Sequence, residues 1–286
     1  ARMDGAVHCA ARSLEHHDAP ERCKSCVYKI LTQCEYGEMS RHTLSSSPLY
    51  RPEFDSDACG FGLVAHLHAH TSHALVQSAV TALDRLTHRG AVAADGKTGD
   101  GCGILVKAPE AFLRAAAAEA GIEVGKRFAV GLTFLNQHDT LAARARHELQ
   151  QQLEAVGLHV AGWRIVPTDA SVCGDEALRT LPRIEHVYVN APERMARVLF
   201  NRLLFIARRR TELALSETDE SFYVASLCAN TLSYKGMVMP SVLADFYADL
   251  KDPRFASSVC VFHQRFSTNT WPQWRLAQPF RLLAHN

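Results

Sequence analysis

Two stretches rich in β-branched and aromatic residues, 221–229 and 231–235, are separated by a single residue. So short a connection leaves no room for a crossover helix, and strands joined this way run antiparallel. Further short, half-buried strands are predicted at 60–67, 102–107, 128–135, 158–166, 184–189 and 257–266. In the first of these, Phe61, Leu63, Ala65 and Leu67 alternate with their neighbours, the period of a strand with one covered face. Helical patterns lie between them. Ser72 can cap a helix whose stripe is Leu75, Val76, Ala79, Val80, Leu83 and Leu86, ending before Gly90. Residues 109–120 start on a proline and stop at Gly121. Thr140 is read as the cap of a helix carrying Leu141, Ala145, Leu149 and Leu153, stopped by Gly157, and 192–212 and 240–250 complete the helical set. The mixture predicts an α+β fold, antiparallel sheets covered by helices, rather than a regular βαβ alternation.

Composition narrows the partners. Thirty-one basic and thirty acidic residues leave a formal charge of +1, which gives no electrostatic case for nucleic acid or a membrane surface. The most apolar helical stretch, 198–207, is interrupted by Asn201 and Arg202 and is too short to span a bilayer. The first residues lack a signal-peptide pattern, so a cytoplasmic location is the default expectation. Most of the nine cysteines then read as small buried hydrophobes kept reduced. Residues 1–38 differ from the rest, with Cys9, Cys23, Cys26, Cys34, His8, His16 and His17 in a stretch of little periodicity. Met39 reads as the biological start, 1–38 as upstream translation or an artefact, 1–58 as a leader or propeptide, and 59–286 as the domain. A zinc site on Cys23-Lys24-Ser25-Cys26 is the rival reading, but a lone CxxC falls short of four ligands and no metal is expected.

Four pieces carry the chemistry: Phe54-Asp55-Ser56-Asp57-Ala58-Cys59-Gly60-Phe61-Gly62, then Thr87-His88-Arg89-Gly90 with Thr98-Gly99-Asp100-Gly101, then His263-Gln264-Arg265-Phe266-Ser267-Thr268-Asn269, and last His285-Asn286. Cys59 is either an ordinary strand cysteine or a nucleophile, and a thiol attacks an amide only as thiolate. In 257–266 the alternation puts Val259, Val261, His263 and Arg265 on one face, suggesting a strand that leaves the core and enters a cleft. A guanidinium there can grip a carboxylate with two parallel hydrogen bonds, or sit in a structural ion pair. His88, Arg89 and Gly90 suit a helix C-terminus, and Thr98 to Gly101 reads as a tight turn organised by Asp100. Lys235, in Tyr234-Lys235-Gly236-Met237, is read as a turn residue after a strand, with a chemical role as the alternative.

In this order the pieces resemble the glutaminase domain of the glutamate synthase large chain, a class II glutamine amidotransferase. The resemblance covers 49–286 and implies the αββα sandwich of N-terminal-nucleophile hydrolases, here incomplete at the C-terminus. It implies cleavage of Ala58–Cys59, so that the α-amine of Cys59 serves as its base; that amine titrates near neutrality. It makes Arg265 the clamp for the glutamine α-carboxylate, with Phe266, Ser267 and Thr268 as pocket wall and backbone donors. Arg89 and Gly90 become scaffold beside the nucleophile, and Asn286 an oxyanion donor. Cys102 and Trp271 depart from the more usual Ala and Phe. The implied partners are L-glutamine, synthase domains of the same chain absent here, and a small NADPH-oxidising subunit or ferredoxin. No cofactor is expected in this fragment; FMN and an iron–sulfur cluster are implied for the full-length protein. Another class II amidotransferase, or a non-catalytic truncated fragment, stays open as the alternative. Lacking the glycine after Asn286 and a later amine-binding aspartate, the fragment is expected to be inactive alone.

Overall fold

The computed structural model describes residues 26–31, 59–267 and 270–281, the first of these as backbone only. Two antiparallel sheets form its centre. The first has the strand order β1-β2-β9-β3-β8 and the second β5-β6-β4-β7. In chain order the strands are β1 (Cys26–Leu31), β2 (Gly60–His66), β3 (Thr98–Lys107), β4 (Phe128–Leu135), β5 (His159–Ile165), β6 (Arg183–Asn190), β7 (Tyr223–Cys228), β8 (Thr231–Val238) and β9 (Val259–Gln264). The longer helices are α1 (His73–Asp84), α2 (Glu110–Glu119), α3 (Asp139–Ala155) and α5 (Arg197–Leu215), with short α4 (Asp175–Arg179) and α6 (Leu243–Phe246).

Helix α1 lies on β2 and β9, whereas α3 and α5 pack on each other and against the second sheet. Ser72 caps α1 as predicted: its hydroxyl accepts from Leu75 N–H at 3.2 Å. The stripe Leu75, Val76, Ala79 and Leu83 is buried with Val64, Ile104 and Phe262 of the first sheet and Val130, Leu132 and Phe134 of the second. A second apolar cluster joins Ala145, Leu149 and Leu153 of α3 and Phe200 and Leu204 of α5 to Val187 and Val189 of β6. The direct β7–β8 connection crosses between the sheets, since the two strands belong to different ones. The α+β sandwich is therefore present. Within the stretch read as a leader, β1 pairs with β2, Leu31 opposite Phe61. Met39, Cys23 and the rest of residues 1–58 apart from β1 lie outside the described residues.

Five local expectations are corrected. Thr98 to Gly101 is not a tight turn but the start of β3, where the register with β8 shifts and Gly101 takes φ +114°. The turn sits earlier, where the Asp95 carboxylate accepts from Lys97 N–H, Thr98 N–H and the Thr98 hydroxyl. Thr140 does not cap α3; the helix starts at Asp139, whose carboxylate favours the helix N-terminus and pairs with Arg183. Residues 240–250 break into short turns about α6 because Tyr247 is pulled into extended backbone, its hydroxyl donating to Lys235 O at 2.8 Å. On β9 it is Cys260 and Phe262 that face the core, while Val259 and Val261 are half-buried. Lys235 lies inside β8, fully buried, and not in a turn.

Candidate active site

Sheet order assembles the site. Strand β9 lies between β2 and β3 and is antiparallel to both, with Gly60 and Cys102 on either side of Gln264. The start of β2 and the start of β3 thus flank the end of β9. Cys59 immediately precedes β2, Asp100 lies in the irregular start of β3, and Arg265 immediately follows β9.

The contacts are close. The Sγ of half-buried Cys59 accepts from Phe266 N–H at 3.3 Å, and the thiol faces Phe266 O at 3.8 Å. Arg265 is buried, 8% exposed, and its backbone N–H donates to Gly101 O at 2.9 Å. Its guanidinium donates to Asp100 O at 3.2 Å and to Thr270 Oγ1 at 2.5 Å. Among the described residues no carboxylate forms an ion pair with it. Burial pulls its pKa below the ordinary guanidinium value, opposed by Asp100 and Cys59. Asp100 does not organise a local turn; its Oδ2 accepts from Ser267 N–H at 2.6 Å and Ala91 N–H at 3.3 Å, tying three segments together. Phe266 presents a partly exposed ring, and Ser267 Oγ donates to Thr270 O.

Arg89 and Gly90 stand behind this group. A side chain starting at Gly60 would meet Arg89 Cβ and Cγ at 3.1 and 3.2 Å, which places Arg89 directly beside the residue after Cys59. Gly90 is extended, with φ −131°, so it is not the left-handed helix stop its position suggested. What it needs is space: a Cβ there would stand 1.6 Å from Gln264 Nε2, which donates to Arg265 O. Gln264 itself was not singled out by sequence; its burial between β2 and β3 is a tertiary fact. Thr268 and Asn286 lie outside the described residues. Cys102 is fully buried and its thiol donates to Val238 O at 3.3 Å, with burial pushing its pKa far up; it is an inert stand-in for a small residue.

The site thus joins a partly exposed thiol, a backbone N–H aimed at its sulfur and a buried guanidinium. The sequence profile of the family "Glutamine amidotransferases class-II" matches residues 59–286, beginning at this cysteine. The chain belongs to the class II glutamine amidotransferases. Among curated relatives of this amidotransferase, the "Glutamate synthase [NADPH] large chain" of Azospirillum brasilense is 41% identical over 246 residues, 85% of this chain and 16% of the relative. That of Bacillus subtilis is 38% identical, over 83% of this chain and 16% of the relative. "Ferredoxin-dependent glutamate synthase 2" of Synechocystis is 40% identical, over 81% of this chain and 15% of the relative. The amidotransferase chain therefore spans about a sixth of the length of the curated relatives it matches.

Proposed function

We propose that this chain is the glutaminase part of a glutamate synthase large chain, releasing ammonia from L-glutamine for transfer to 2-oxoglutarate. The observation that carries the reading is the placement of Cys59 Sγ, 3.3 Å from Phe266 N–H, next to a guanidinium whose acceptors among the described residues, Asp100 O and Thr270 Oγ1, are neutral. A buried guanidinium with no ion-paired carboxylate among the described residues is suited to receive an anion. The glutamine α-carboxylate is that anion, and Arg265 would hold it through two parallel hydrogen bonds. Cys59, freed as the N-terminus by cleavage after Ala58, attacks the side-chain amide carbon. Its α-amine takes the thiol proton and returns it to the leaving nitrogen, so ammonia departs and a γ-glutamyl thioester remains. Water attacks that thioester, releasing glutamate and restoring the thiol. Asn286 would donate to the tetrahedral oxyanion, a contact whose removal costs about two to three orders of magnitude in rate. Ser267 and Asp100 fix the backbone after Arg265, and Arg89 and Gly90 support it from beneath.

The remainder of the reading concerns the longer protein. FMN and an iron–sulfur cluster would be held by the rest of the relatives' length. Among the described residues no three His, Cys, Asp or Glu stand together as a metal site. NADPH through a small subunit, or ferredoxin, would supply electrons; the relatives include both types. A cytoplasmic location belongs to the same proposal, and the unbridged thiols of Cys102, Cys173, Cys228 and Cys260 suit a reducing compartment. The test is N-terminal sequencing of the active protein together with the Cys59→Ala variant. The chain should begin Cys59-Gly60-Phe61, a glutamine-analogue electrophile should label Cys59, and the variant should keep ammonia-dependent glutamate formation while losing glutamine use. Active enzyme with Ala58–Cys59 intact would rule the mechanism out.

A further inference from the structure

Lys235 is the most unusual side chain outside the site. It is 0% exposed, yet no carboxylate among the described residues pairs with it. Its Nζ donates to Ala277 O at 2.7 Å, Arg275 O at 2.8 Å and Tyr223 Oη at 3.4 Å. It sits between two ring faces, with centroids of Tyr223 at 4.7 Å and Phe280 at 4.9 Å. Burial drives its pKa well below the ordinary lysine value, and the charges that act on it, Arg281 and Arg265, are both positive and push the same way. For stability alone an apolar side chain of similar length would serve better than a desolvated ammonium. The residue therefore calls for a reason other than folding.

That reason lies in what it holds. Residues 270–281 follow the Arg265 motif as a strap over the first sheet. At its start Thr270 accepts from Arg265. At its end Arg281 donates to Val224 O and to Glu212 Oε1. Between these ties the strap lies in a trough where side chains are missing. A Cβ at Gly103 would stand 2.7 Å from Gln278 O, and one at Gly236 would meet the Trp274 ring at 2.5 Å. Gly103 pairs with Lys235 on β8 and with His263 on β9, so the trough lies over β3 and β8, beside the strand that Arg265 follows. Lys235 is the polar bolt through this trough, gripping two carbonyls of the strap together with the Tyr223 hydroxyl.

We propose that Lys235 is a positioning residue of the glutaminase, fastening the strap so that Thr270 holds the Arg265 guanidinium in place for the substrate carboxylate. The inference rests on the glutaminase reading above. In the full-length protein, Lys235→Met should raise the KM for glutamine by about tenfold or more and slow labelling of Cys59 by a glutamine-analogue electrophile to match. Ammonia-dependent activity should stay within about twofold, because its loss would mean a folding defect and not a positioning one. Hydrogen exchange at amides 274–278 and 280–281 should speed up by about tenfold or more, while that of β3 is unchanged. In a variant whose β3 exchange shows it folded, equal loss of both activities, or an unchanged KM with the strap freed, would overturn the proposal. Phe280→Leu keeps the ammonium and removes one ring face from a half-buried site, so it answers the question if Lys235→Met fails to fold. It should show the same split at roughly threefold amplitude, and the absence of any split overturns the proposal as well. Cys59→Ala run in parallel separates the two readings. Glutamine use that survives in that variant sinks the glutaminase assignment and this inference with it, whereas Cys59-dependent turnover with Lys235→Met unaltered sinks only this inference.

Discussion

Arg265 and Gly90 show how much of the site hangs on single side chains. The guanidinium has two ends already engaged by Asp100 O and Thr270 Oγ1, both neutral, which orients the fork without cancelling its charge. Lysine at this position keeps the charge and loses the plane. With hydrogen bonds to charged groups worth about 1.5–3 kcal/mol, Arg265→Lys should weaken glutamine binding roughly ten- to hundredfold. Ammonia-dependent activity should persist; steady-state kinetics with either nitrogen source decides, and a joint loss would make Arg265 structural. Gly90 acts through space. An alanine methyl 1.6 Å from Gln264 Nε2 and 3.0 Å from Arg265 O must displace the buried Gln264 amide and crowd the backbone at Arg265. Gly90→Ala should destabilise by about 1–3 kcal/mol, as overpacking does. Thermal unfolding and glutamine kinetics should worsen together, and a variant that matches wild type in both would remove Gly90 from the scaffold.

At the level of elements, local signals were legible where tertiary forces agreed with them. Ser72 and the Leu75–Val76–Ala79–Leu83 stripe specify α1 from sequence, and the structure shows both the cap bond and the buried face. Ser72→Ala should cost α1 about 1 kcal/mol, measurable as faster hydrogen exchange in its first turn; no change would show that packing alone holds that end. β4, predicted at 128–135, occupies Phe128–Leu135, because a short, mostly apolar run rich in aromatic and β-branched residues and bounded by polar ones favours a buried strand. Where a long-range partner intervened, the local pattern misled. Tyr247 leaves the helical region to reach Lys235 O, and Thr98 to Gly101 is drawn into a strand by β8 and β9. β9 hid its core face because it is central, covered on both sides near Arg265, so Val259 and Val261 carry no decisive alternation. The members of the site were recognisable from motif order. Their meeting was not, since Cys59 and Phe266 stand 207 residues apart and only the β2–β9 pairing brings them together.

Across the whole molecule, one buried polar network ties the two sheets. Arg164 of β5 donates to both Asp249 oxygens at 2.8 Å, and Tyr234 of β8 donates its hydroxyl to Asp249 Oδ2 at 2.7 Å. His186 of β6 lies 3.1 Å from the Tyr234 oxygen through Nε2 and 3.3 Å from Arg164 through Nδ1. With the tyrosine proton committed to Asp249, the network fits a neutral imidazole: Nε2–H donates to Tyr234 and Nδ1 accepts from Arg164. A second proton, on Nδ1, would point at the guanidinium. Full burial is the main cause that brings the His186 pKa down from 6.5 to about 3, with Arg164 adding to it, against the pull of Asp249. The sign follows from linkage. Below pH 6.5 the unfolded chain takes up a proton at His186 that the folded chain refuses until about pH 3. Stability is therefore lost as pH falls through that window, by about 1.4 kcal/mol per pH unit from this residue. His186→Gln supplies one donor and one acceptor but cannot titrate. The stability of wild type relative to this variant, read from exchange of the β6 and β8 amides, should decline by about that slope between pH 6 and pH 4. A difference that stays flat across the window would show that His186 is not the group whose protonation loosens the two sheets.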